Sequence, residues 1–114
     1  MKQPTAAGHP GTADADATEV ARLRGELDCV NLGLLSLLEE RGRLVRQVMA
    51  VKGRLEMPRR DDARERAMIE SLLRSATGVY ADPMLIRIFA AIFEASRELG
   101  PTDPPAPGSR TTGG

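Results

Sequence analysis

Residues 23–52 read LRGELDCVNLGLLSLLEERGRLVRQVMAVK, and their spacing decides the fold. Apolar side chains recur at Leu23, Leu27, Val30, Leu34, Leu37, Leu44, Val48 and Val51, and the series runs on to Leu55. The steps alternate four and three, as on one face of a helix packed along its whole length. Arg41 takes the one seam position that is not apolar. Gly25, Gly33, Gly42 and Gly53 fall inside the same pattern, and each costs about 0.5–1 kcal/mol relative to Ala. Intrinsic propensity is therefore poor, and tertiary or intersubunit packing has to hold this helix together.

Working outward, Asp16 and Glu19 have capping-box spacing, which predicts a helix start near Asp16 or Thr18. Beyond the seam come Pro58 and the charged run Arg59-Arg60-Asp61-Asp62. Asp62 and Glu65 repeat the capping spacing and open a second helix that buries Met68, Ile69, Leu72 and Leu73, with Gly78 as its stop. Asp82-Pro83 opens a third helix, which buries Leu85, Phe89, Ile92 and Leu99 and carries Ser96 on the same face. Gly100-Pro101 stops it. No segment alternates as a strand does, so the fold class is all-α, one long helix and two shorter ones. Residues 1–17 and 101–114, rich in Ala, Gly, Pro and Thr without periodicity, read as disordered tails around a folded region of residues 18–100.

Length then forces a further step. A helix of about 35 residues is roughly 50 Å long, whereas a compact domain of this size has a radius of gyration near 13 Å. Two short partner helices cannot cover such a seam. Either two copies pair in an intertwined homodimer, or the helices dock onto another protein.

Composition narrows the function. Sixteen basic and sixteen acidic side chains cancel, so no global field favours nucleic acid or an acidic membrane. Three aromatics and no Trp argue against base-stacking platforms. The single cysteine, Cys29, excludes an intrachain disulfide and fits a reducing compartment. No apolar run is long enough to span a bilayer, and residues 1–17 lack the apolar core of a signal peptide, so a cytoplasmic protein is expected. His9 has no second metal ligand nearby, and no metal or cofactor site is expected.

The charged residues are more informative. The chain uses two lysines among its sixteen basic residues, and one of them, Lys2, lies in the tail. Lys52 follows Arg41 by eleven residues, which on a helix returns to within about 20° of the same face, roughly 16 Å along the axis. A guanidinium fork and a compact ammonium facing one interior suit an anionic ligand. Arg24 lies seventeen residues before Arg41 and is turned about 100° away, so across a dimer it is free to complete the neighbour's pocket. Arg64, Glu65 and Asp61 cluster at the start of the second helix, and Ser96 adds a hydroxyl from the third. Each has a plainer reading. Arg24 and Arg64 suit surface pairs, Arg41 a buried pair or a register device, and Lys52 a snorkelling helix end. Ser96 suits close helix packing, and Asp61 and Glu65 suit capping. No catalytic triad, phosphate loop or metal cluster is visible. Several fixed cations without a nucleophile fit electrostatic stabilisation of a polyanion, or binding alone.

Three stretches together resemble the all-helical (AroQ-class) chorismate mutases: residues 23–52, PRRDDARERAM (58–68) and IFAAIFEAS (88–96). The phrasing of the long helix and of GVYADPMLIRIF (78–89) is most similar to the chorismate-mutase-like N-terminal domain of some 3-deoxy-arabino-heptulosonate 7-phosphate (DAHP) synthases. The resemblance implies an intertwined homodimer that rearranges chorismate to prephenate in aromatic amino-acid biosynthesis, without a cofactor. By matched position it implies that Arg24 of one subunit and Arg41 of the other bind the two substrate carboxylates. Lys52 would meet the ether oxygen, Asp61 (through its backbone) and Glu65 the ring hydroxyl region, Ser96 a carboxylate, and Arg64 would support them. One position departs from the family: Gly100 stands where a Gln or Glu commonly offers a second contact to the ether oxygen. A weakly active or inactive module that binds chorismate or prephenate for a DAHP synthase is the alternative this departure raises. An isochorismate-pyruvate lyase would use a similar cationic pocket.

Overall fold

A computed structural model describes residues 10–102 of the 114-residue chain. The element order is α1 (Pro10–Arg54), α2 (Asp62–Ser75) and α3 (Asp82–Arg97). No strand occurs among the described residues. The all-α expectation holds.

Helix α1 starts at Pro10, earlier than the capping box at Asp16 indicates, so residues 10–17 are helical rather than part of an irregular tail. Proline at the first helical position is pre-set for the helix, and the alanines after it favour continuation. Residues 1–9, with His9, and residues 103–114 lie outside the described residues. At its other end α1 stops by a reciprocal pair of backbone bonds. The Met57 amide donates to the Lys52 carbonyl at 2.8 Å, and the Glu56 amide donates to the Gly53 carbonyl at 3.1 Å. This is a Schellman arrangement in which Glu56, at φ 55°, holds the left-handed position that usually goes to glycine.

The cap of α2 is Asp61, not Asp62. Its Oδ1 accepts from the Arg64 amide at 2.9 Å, which is the N-cap bond that satisfies an orphan donor of the first turn. Asp62 instead pairs with Arg60 at 2.7 Å, and the neighbouring guanidinium holds its carboxyl below the usual range. Helix α2 ends at Ser75, before Gly78; that glycine, at φ 96°, shapes the connection to α3. Pro83 sits in the first turn of α3 as expected.

The chain divides into two units after Glu39. In the first, the described residues are all α1. Arg22 there bridges Glu19 at 2.6 Å and Glu26, one turn either way along an exposed helix surface. Leu23, Leu27, Val30, Leu34 and Leu37 are all exposed. In the second unit α2 packs against α3. The faces expected to be buried, Met68, Ile69, Leu72 and Leu73 on α2 and Leu85, Phe89 and Ile92 on α3, are half-buried, as is Leu99, which lies past the end of α3 because that helix stops at Arg97 rather than at Gly100-Pro101. Phe93, 6% exposed, is the only buried residue among those described. Its ring meets Phe89 at 6.5 Å in a tilted arrangement.

The end of α3 is tied to α1 and the following loop. A Cβ on Gly42 would stand 3.5 Å from Leu99 Cδ1, an ordinary packing contact. Arg46 Nε donates to the Gly100 carbonyl and Arg59 Nη2 to the Leu99 carbonyl, both at 3.0 Å. These arginines satisfy carbonyls left open where the helix stops. The Thr102 amide returns a bond to the Arg46 carbonyl at 3.0 Å.

Candidate active site

A cavity of about 330 Å³ opens within the second unit, a volume suited to a small organic ligand. Its floor is the last four turns of α1, where Leu44, Val48 and Met49 supply apolar surface and Arg41 and Lys52 supply charge. One wall is the cap of α2, with Asp61, Arg64 and Glu65; the other is α3, with Phe93, Ser96 and Arg97. Arg59 reaches in from the connecting loop. Five cationic side chains thus face two carboxylates in one small space, so the interior favours an anion.

Arg41 is fixed from two sides. Its Nη1 donates to Ser96 Oγ at 2.8 Å, and Ser96 in turn donates to the Ile92 carbonyl at 2.7 Å. The Ser96 hydroxyl, committed as donor to the backbone, is oriented to accept from Arg41. The guanidinium carbon also lies 5.3 Å from the centroid of the Phe93 ring, within cation–π range. Arg41 sits in an apolar seam because a serine and an aromatic face receive it there. Its remaining donors stay available for a carboxylate.

Lys52 is half-buried at the third residue from the end of α1, where its own carbonyl anchors the Schellman turn. Among the described residues neither the Lys52 ammonium nor the Arg64 side chain has a hydrogen-bond or ion-pair partner. Glu65 does have one. Its Oε2 accepts from Arg97 Nη1 at 2.7 Å, with both side chains largely shielded. Of the seven residues singled out from sequence, the structure gathers Arg41, Lys52, Asp61, Arg64, Glu65 and Ser96 around this cavity. Arg24 lies exposed on the N-terminal part of α1 and is not among the lining residues.

Three contributors escaped the sequence reading: Phe93, Arg97 and Arg59. Phe93 was masked by Ile92 beside it, which fits the seam spacing. The Arg97–Glu65 pair links residues 32 positions apart on different helices, and no periodicity within one element reports such a contact. Among the described residues no group of three or more His, Cys, Asp or Glu is placed to hold a metal.

Three helices converge cationic side chains on one small cavity, an arrangement that suits a helical anion-binding site. Comparison with known proteins makes the class specific. The sequence model of the family described as chorismate mutase type II matches residues 23–100, and the chain belongs to that family. It is 31% identical over 85 residues to the bifunctional chorismate mutase/prephenate dehydratase of Aquifex aeolicus, covering 71% of this chain. The chain spans only 24% of that relative's length. Two structures of chorismate mutase from Thermus thermophilus are each 37% identical to it. Form II superposes with a TM-score of 0.70 over 71% of this chain and 92% of that one, and form I with 0.67 over 68% and 98%.

Proposed function

We propose that the chain is a chorismate mutase, an isomerase that converts chorismate to prephenate in the cytoplasm, and that it works as a homodimer. The observation that carries this reading is the convergence of Arg41, Lys52, Asp61, Arg64, Glu65 and Ser96 on one cavity in a chain of this family. The reaction is unimolecular: an ether C–O bond breaks as a C–C bond forms, and no atom enters or leaves. No nucleophile or cofactor is called for.

The work left to the protein is conformational and electrostatic. Arg41, locked by Ser96 and Phe93, holds one substrate carboxylate, and Arg24 of the second subunit holds the other. Together they fold the enolpyruvyl arm over the ring, so the entropy of reaching that conformer is spent on binding rather than in the barrier. Lys52, with no internal partner to leave, faces the ether oxygen and opposes the negative charge that grows there as the bond lengthens. Asp61, through its backbone, and Glu65 receive the ring hydroxyl region, and Arg64 supports that wall. The uncovered seam of α1, with Leu37 64% exposed, supports the dimer, since large apolar faces left in water mark association surfaces.

The test is incubation with chorismate, following loss of its diene absorbance and identifying the product. Prephenate is expected. Release of pyruvate would instead show lyase chemistry. A second reading, a regulatory module that binds chorismate for a DAHP synthase, is favoured by one feature: Gly100 presents no side chain, and a Cβ there would meet nothing within 4 Å. Binding without turnover selects that reading.

A further inference from the structure

Glu65, Arg97 and Phe93 line two cavities at once. They face the cationic pocket on one side and, on the other, a groove between α2 and α3 bounded by Arg60, Arg66 and Ile86. Arg97 and Glu65, which line both, are joined by an ion pair 2.7 Å long, with the side chains 31% and 25% exposed. This bond engages Oε2 of Glu65 only. Asp62 also feels the charge of Arg97 but already holds Arg60, so the close partner of Arg97 is Glu65.

A carboxylate lining a pocket for a dianion is a liability. Unpaired, it would repel a substrate that the arginines and Lys52 attract. Solvent screens a half-shielded ion pair less than a surface one, and removing one partner leaves the other charge uncompensated. We propose that Arg97 is a positioning residue for the rearrangement. It cancels the charge of Glu65 toward the incoming dianion and pins the carboxylate by one oxygen, leaving the other directed at the substrate. The proposal rests on the chorismate mutase reading. It assigns Arg97 no contact with the reacting atoms.

The prediction concerns how two substitutions combine. Steady-state kinetics with chorismate should show Arg97→Ala raising KM roughly tenfold, with a smaller change in kcat, whereas Arg97→Lys keeps KM within about threefold. In a Glu65→Gln background, where there is no charge to cancel, Arg97→Ala should leave KM nearly unchanged. An equal KM penalty in both backgrounds would mean that Arg97 only props the helices apart, and would overturn the proposal. So would an Arg97→Ala enzyme with unaltered KM. Should Arg97→Ala fail to fold, Arg97→Gln in the two backgrounds gives the same comparison. A wild-type protein that binds but does not turn over chorismate would sink the catalytic reading alone; the same variants, measured as chorismate affinity by calorimetry, then still decide the role of Arg97. No binding at all would remove both.

Discussion

At the scale of single residues, the site is a set of cations distinguished by how each is held. Arg41 is immobilised by Ser96 and the Phe93 ring, and Arg97 is committed to Glu65. Lys52 has no partner among the described residues. On the proposed reading that contrast separates roles: fixed groups orient a ligand, and an uncommitted ammonium is available to charge that appears only as the bond breaks. Lys52→Ala should therefore depress kcat by about 10²–10³-fold, with a much smaller change in KM. A variant that loses affinity but keeps kcat would assign Lys52 to binding instead. Sequence spacing was enough to put Arg41 and Lys52 on one face of α1, because helical periodicity is a local property. The Ser96 acceptor was visible only as a polar residue on an apolar face. Arg97 was invisible, because its partner belongs to another helix.

At the scale of elements, the pocket depends on how α1 ends. Lys52, Gly53 and Glu56 build the Schellman turn that sends the chain through Pro58 to the Asp61 cap. The turn thereby sets the Lys52 end of α1 and the α2 cap beside one another. The sequence signals for this join were weaker than those for the seam. Asp61-Asp62 offers two adjacent caps, and which one is used depends on the geometry of the loop. Glu56 also disguises the helix end, since a left-handed residue is usually announced by glycine. For an acidic side chain at φ 55° that conformation costs on the order of 1 kcal/mol. Glu56→Gly should raise stability by about 0.5–1 kcal/mol in urea denaturation at fixed protein concentration, without a change in kcat. A loss of stability would show that the Glu56 side chain contributes contacts that outweigh the backbone strain.

At the scale of the whole molecule, the chain is under-buried. One residue among those described is buried, while the leucines and valines of the α1 seam stand in water from Leu23 to Leu55. The heptad-like seam made the long helix legible from sequence, and its length against two short partners made a second copy the simplest cover. Arg24 fits that picture, lying on α1 outside the cavity that holds the other candidate residues. If two subunits build each site, Arg24 and Lys52 of one active site come from different chains. The decisive measurement is mixing. Arg24→Ala and Lys52→Ala proteins, each expected on this account to be a nearly inactive dimer, are unfolded together in equal amounts, refolded and assayed with chorismate. Random pairing makes half of the dimers mixed, each with one intact site of two, so prephenate formation should recover to roughly a quarter of the wild-type rate. Activity that stays at the level of the separate variants, in a mixture shown to contain mixed dimers, would contradict the shared site.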